Sequence, residues 1–67
     1  MAFKAARMRA KRGLNEVATI VGVSKQSVNA WERGVYEPDI ETIKQLADLY
    51  GCTVDELLRE DVEDGSG

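Results

Sequence analysis

Lys25, Gln26 and Asn29 set one ammonium and two carboxamides on a single face of a short helical segment. An ammonium only donates hydrogen bonds, whereas each carboxamide offers a donor beside an acceptor. Such a trio suits recognition of a patterned polar edge rather than the making or breaking of bonds. Covalent chemistry has little else to use in this chain. There is no His and a single Cys, Cys52, so neither a metal cluster of His and Cys nor a Cys–His nucleophile can be assembled, and no cofactor is expected. Asp55 and Glu56 are adjacent carboxylates, but they fall in Thr53-Val54-Asp55-Glu56, a capping box that opens a helix. The reading is therefore of a binding protein and not of an enzyme.

The segments around the trio must hold it in place. Residues 2–12, AFKAARMRAKR, are good helix formers with Phe3, Ala6 and Ala10 on one face, and Gly13 fits a C-terminal cap after the basic residues. Asn15 is a plausible N-cap for Val17–Val21, a run rich in β-branched residues that suits either helix or strand; no partner strand exists elsewhere. Ser24 caps a helix of about 24–33 that Gly34 ends, with Val28 and Trp31 facing inward. Trp31 is expected in the core and not as a stacking platform. Pro38 breaks the chain, Asp39 caps the next helix, and Ile40, Ile43, Leu46, Ala47 and Tyr50 form its apolar stripe. Gly51 closes that helix, Cys52 is expected as a small buried residue in the turn, and Leu57 and Leu58 follow the capping box. The expectation is an all-α, compact domain of five short helices over residues 1–59, followed by an acidic disordered tail over 60–67.

Ala18, Gly22 and Val28 sharpen this outline. Two helices that cross steeply through a tight turn need a small residue at the crossing and a residue tolerant of positive φ in the turn. Ala18 and Gly22 meet those needs, and Val17, Val21, Val23, Val28 and Trp31 occupy the inward positions. This is the spacing of a helix-turn-helix, whose second helix fits the major groove of DNA. Lys25 could then donate to guanine O6 and N7, and Gln26 and Asn29 could pair with adenine. Ala30 could touch a thymine methyl, and Ser24 and Ser27 suit caps or phosphate contacts.

The stretch GVSKQSVNAWERG followed by YEPDIETIKQLADLYGCTVDELL resembles the Cro/C1-type (XRE-family) helix-turn-helix domain, with a likeness covering roughly residues 3–58. The resemblance implies a five-helix, lambda-repressor-like fold that binds operator DNA, usually as a homodimer, with the third helix reading bases. It implies that an Arg late in the first helix pairs with a Glu near the end of the third, matched here to Arg9 and Glu32. It implies phosphate contacts from the loop after the third helix, where Arg33 and Tyr36 stand; Tyr36 packing on the fourth helix is an equal alternative. The family's usual run from Gly-Leu through Ser/Thr-Gln-Glu-Glu-Leu-Ala is met by Gly13-Leu14-Asn15-Glu16-Val17-Ala18, two residues fewer. On that match the second helix lacks its first turn or the first helix is displaced, and the Gln that commonly touches phosphate has no counterpart. Asn15, or its backbone N–H, stands in.

Charge is segregated along the chain. The total is −3, yet residues 1–33 carry seven cations against two carboxylates, and residues 34–67 carry two cations against ten. One polyanion-facing end and one solvating or partner-facing end are implied. At 67 residues the core is thin, so a second copy is expected to add stability, with Val54, Leu57 and Leu58 as anchors. No apolar run suits a membrane span or secretory signal, and the lone Cys fits a reducing, cytoplasmic setting. The expected function is sequence-specific binding of double-stranded DNA as a transcriptional regulator, a repressor by preference. The alternative is an antitoxin or protein-interaction module that keeps the fold with weak or no DNA binding and meets a protein partner such as a toxin. The acidic total favours that alternative.

Overall fold

Five α-helices account for the architecture of the computed structural model, which describes residues 1–59: α1 (Phe3–Arg9), α2 (Leu14–Val21), α3 (Lys25–Arg33), α4 (Ile40–Tyr50) and α5 (Val54–Leu58). The acidic tail expected over 60–67 lies outside the described residues. Side-chain caps start three of the helices. Ser24 accepts from the Ser27 N–H at 3.2 Å, Asp39 from the Thr42 N–H at 2.9 Å, and Thr53 from the Glu56 N–H at 3.1 Å. The Thr53 N–H returns a bond to Glu56 at 3.0 Å, completing the capping box.

The core joins all five helices. Phe3, Ala6, Val17, Ala18, Val28, Ile43, Leu46, Ala47, Tyr50 and Leu57 are buried, and Leu14, Val21, Val23, Trp31, Cys52 and Val54 pack partly against them. The Val17–Val21 run is helical: with no strand among the described residues to pair with, its backbone groups are satisfied within α2, and Val17 and Ala18 reach the core. Ile40 departs from the expected stripe. It opens α4 one turn before the buried Ile43 and is 54% exposed. Leu57 is fully buried, which removes it from the expected dimer anchors; Leu58 and Val54 keep exposed surface. Cys52 is half-buried instead of buried, and desolvation raises its thiol pKa.

The junction of α1 and α2 corrects the sequence reading. The first helix stops at Arg9, and Lys11 takes the left-handed backbone conformation at φ +59°. The Lys11 N–H donates to the Met8 carbonyl at 3.0 Å and the Arg12 N–H to the Arg7 carbonyl at 3.1 Å, the paired bonds of a helix stop that glycine usually provides. Gly13, expected to cap α1, has extended backbone and is the N-cap of α2; Asn15 lies inside that helix instead of capping it. The second helix therefore keeps its first turn. Counting back from Ala18 without a gap puts the family's Gly on Lys11, its Ser/Thr on Gly13 and its Gln on Leu14. Nothing is missing before Ala18; the Gly-Leu dipeptide lies two positions after the one it resembles.

Left-handed backbone at a residue with a Cβ carries a steric cost. Lys11→Gly is accordingly expected to stabilise the fold by about 1 kcal/mol, raising the thermal midpoint by roughly 4–8 °C for a domain this small. A Lys11→Ala variant, which keeps the Cβ, should show no such rise in the same melts.

Candidate nucleic-acid interface

The turn between α2 and α3 fixes the angle of the third helix. Gly22 takes φ +86°, and both its N–H and that of Val23 donate to the Ala18 carbonyl, at 2.8 and 2.9 Å. A side chain at Gly22 would be strained whatever the free space around it. The chain thus leaves α2 at Gly22 and enters α3 two residues later, with Ser24 already capping the new helix.

On α3, Lys25, Gln26, Asn29 and Arg33 are all exposed, and Ala30 is half-buried beside them. At 100° per residue the four polar side chains fall within an arc of about 100°. Val28 is buried on the opposite side, and Trp31 packs there against the core. The expected base-reading residues thus share one outward face. Ser24 and Ser27 are engaged with each other at the start of the helix, their hydroxyls 3.1 Å apart. Asn15 is exposed in the first turn of α2. Tyr36 is 67% exposed in the loop after α3, which disposes of the packing alternative.

The ion pair that anchors α3 is formed by Arg7, not Arg9. Arg7 Nε donates to Glu32 Oε2 at 2.6 Å and Nη2 to Oε1 at 3.2 Å, while Nη1 donates to the Arg12 carbonyl at 2.9 Å. One guanidinium therefore ties α1, the α1–α2 connection and the end of α3 together. The pair is largely sheltered, with side-chain exposures of 14% and 6%, and the hydrogen bond to Glu32 raises the Arg7 pKa further. Arg9 is exposed, two positions further round the helix. The error is the same two-residue slip that misplaced Gly13, and counting back from Ala18 would have found Arg7. A second pair has the i,i+4 spacing that marks such contacts in a sequence: Arg12 Nη1 to Glu16 Oε2 at 2.6 Å. Glu16 also accepts from the Gly13 N–H at 3.2 Å, and these two bonds hold its carboxyl pKa below the ordinary value.

Burial pushes the Tyr50 phenol up to about 12, and the nearby Glu32 charge adds to the shift. A phenol raised in the folded state gives up stability as pH climbs from its unfolded value near 10 towards 12. Folding should therefore weaken through that window by up to about 2 kcal/mol after solvent screening, and below it the group's stabilisation is fully present and independent of pH. Tyr36 and Tyr50 are the two tyrosines of the chain. Alkaline titration of Tyr36→Phe by phenolate absorbance, beside urea melts at each pH, checks both the late titration and the matching loss of stability.

No helix among the described residues is long and apolar enough to cross a membrane, and no group of acidic or Cys side chains there could hold a metal ion. What remains is a polar helix face set on a helix-turn-helix frame. Residues 3–57 match the helix-turn-helix family model, and the chain belongs to that family, of the Cro/C1 type. Over 55 residues, 79% of this chain and 50% of the relative, it is 40% identical to the cryptic phage CTXphi transcriptional repressor RstR of Vibrio cholerae. Over 45 residues, 67% of this chain and 39% of the relative, it is 38% identical to the HTH-type transcriptional regulator AnsR of Bacillus subtilis (strain 168). The aligned segments thus span half or less of these relatives' length. No solved structure matches the chain significantly.

Proposed function

We propose that this chain is the sequence-specific, double-stranded DNA-binding domain of a transcriptional repressor, with α3 in the major groove. The observation that carries this reading is the exposure of Lys25, Gln26 and Asn29 on one face of a helix whose other face is core. In this reading Lys25, Gln26, Asn29 and the Ala30 methyl meet base edges. Arg33, Tyr36, Ser24, Ser27 and the Asn15 backbone N–H meet phosphates. Leu14 stands where the family's phosphate-touching Gln stands, so the start of α2 contributes backbone donors there in place of that side chain. Two copies on a palindromic site would set their α3 helices about 34 Å apart, with Leu58 and Val54 at the contact between copies. The setting is the cytoplasm, where the DNA is. The relatives named as a repressor and a regulator support the regulatory role.

The test is selection of bound duplexes from a random pool, followed by salt titration of the best. A palindromic site whose affinity falls steeply with salt supports the reading. Absence of binding to any duplex at low salt would overturn it and favour the second reading, an antitoxin-like or protein-interaction module. The net charge of −3 is what recommends that second reading.

A further inference from the structure

A third of the chain's carboxylates fall in its last eight residues. Residues 60–67 carry Glu60, Asp61, Glu63 and Asp64 and no cation. They follow α5, whose last turn is tied to the start of the chain beside α1. The Leu57 carbonyl accepts from the Ala2 N–H at 2.8 Å. Met1, one residue earlier, lines a cleft of about 370 Å³ together with Trp31, Arg33, Gly34, Tyr36 and Glu37. Five residues along α1, Arg7 holds Glu32, the neighbour of Arg33. An extended eight-residue segment spans up to about 27 Å, which exceeds the 22 Å short axes of the domain.

Charge decides which surface such a segment would meet. Arg33 is exposed and has no carboxylate within 4.0 Å among the described residues, while Glu32 beside it is neutralised by Arg7. Glu37 is the opposing charge in the cleft. Beyond the cleft, residues 1–33 present a net +5. A run of four carboxylates offers that surface the same chemistry as a row of phosphates.

We propose that Glu60, Asp61, Glu63 and Asp64 dock on the Arg33 end of α3 and compete there with nucleic-acid phosphate. The contact is intramolecular, so its strength is set by effective concentration and by salt. It screens the recognition helix from weak, unspecific polyanions and yields to a duplex that adds base contacts. The competition with DNA rests on the DNA-binding reading; the docking itself does not.

The test compares the full chain with its Glu60→Gln/Asp61→Asn/Glu63→Gln/Asp64→Asn variant, first without DNA. Trp31 is the single tryptophan and lines the same cleft. At low salt the variant is expected to shift the Trp31 emission and the amide and guanidinium resonances of residues 31–37, and the difference should vanish at high salt. Glu37→Gln should enlarge the salt-sensitive difference, because it removes the opposing charge. Identical DNA-free spectra for parent and variant at low salt would overturn the proposal. With a selected duplex, the variant should bind about three- to tenfold tighter at low salt and no tighter at high salt. Altered DNA-free spectra with unchanged duplex affinity would overturn the competition. Altered spectra with no binding of any duplex would uphold the docking and defeat the DNA-binding reading.

Discussion

Glu32→Ala is expected to cost about 3 kcal/mol of folding stability, because it strands the Arg7 guanidinium in a sheltered position. Arg7 is 14% exposed and loses two of its three protein acceptors, keeping only the Arg12 carbonyl. At roughly 0.05–0.15 kcal/mol per residue a domain of this size is stable by only about 3–10 kcal/mol. The loss therefore removes roughly a third or more of the whole stability. Exposed pairs such as Arg12–Glu16 set the scale for comparison: Glu16→Ala should move the urea midpoint far less than Glu32→Ala does. Arg7→Lys should resemble Glu32→Ala more than the parent, since an ammonium cannot span Glu32 and the Arg12 carbonyl with a planar fork. The double replacement Arg7→Met/Glu32→Leu removes both charges and is expected to recover most of the loss. Urea melts of the four variants settle the matter; a Glu32→Ala midpoint equal to the parent's would show that the pair adds nothing.

The same pair shows what the sequence made legible and what it hid. Elements defined by local chemistry are legible in the sequence: Ser24, Asp39 and the Thr53–Glu56 box start helices because a side-chain oxygen meets a free N–H three residues on. Gly22 and Gly34 stop helices because the left-handed conformation suits them. The outward face of α3 followed from Val28 and Trp31 facing in. The α1–α2 junction resisted because two residues broke their usual roles. Lys11 accepts a left-handed conformation that points to glycine, and Gly13 supplies an extended N-cap where an oxygen-bearing side chain is usual. A reader who trusts glycine as a helix stop slides the register by two, and Arg9 then replaces Arg7. Exposure of Ile40 and burial of Leu57 lay beyond sequence reading for another reason: a helical stripe gives the direction of a side chain, while the neighbouring helix decides whether anything covers it.

Gln26→Ala and Asn29→Ala are each expected to lower affinity for the selected duplex by about 1–3 kcal/mol, roughly five- to 150-fold. Neither should alter the weak binding to unrelated duplexes. The separation follows from charge. Both carboxamides are neutral, so removing one releases no counterion and leaves the salt dependence unchanged. Arg33→Ala should do the opposite: affinity falls for every duplex by a similar factor, and the salt slope shallows by about one counterion. Lys25→Ala should do both, because Lys25 carries charge at the exposed start of α3. Substitution of an adenine in the selected site should abolish the cost of Gln26→Ala or of Asn29→Ala, and the residue whose cost disappears is the one that reads that base pair. This cycle identifies the contacts without a complex in hand. If instead both alanine variants weaken all duplexes alike, α3 acts as a charged ridge on the backbone, and the bases are read by another part of the chain or not at all.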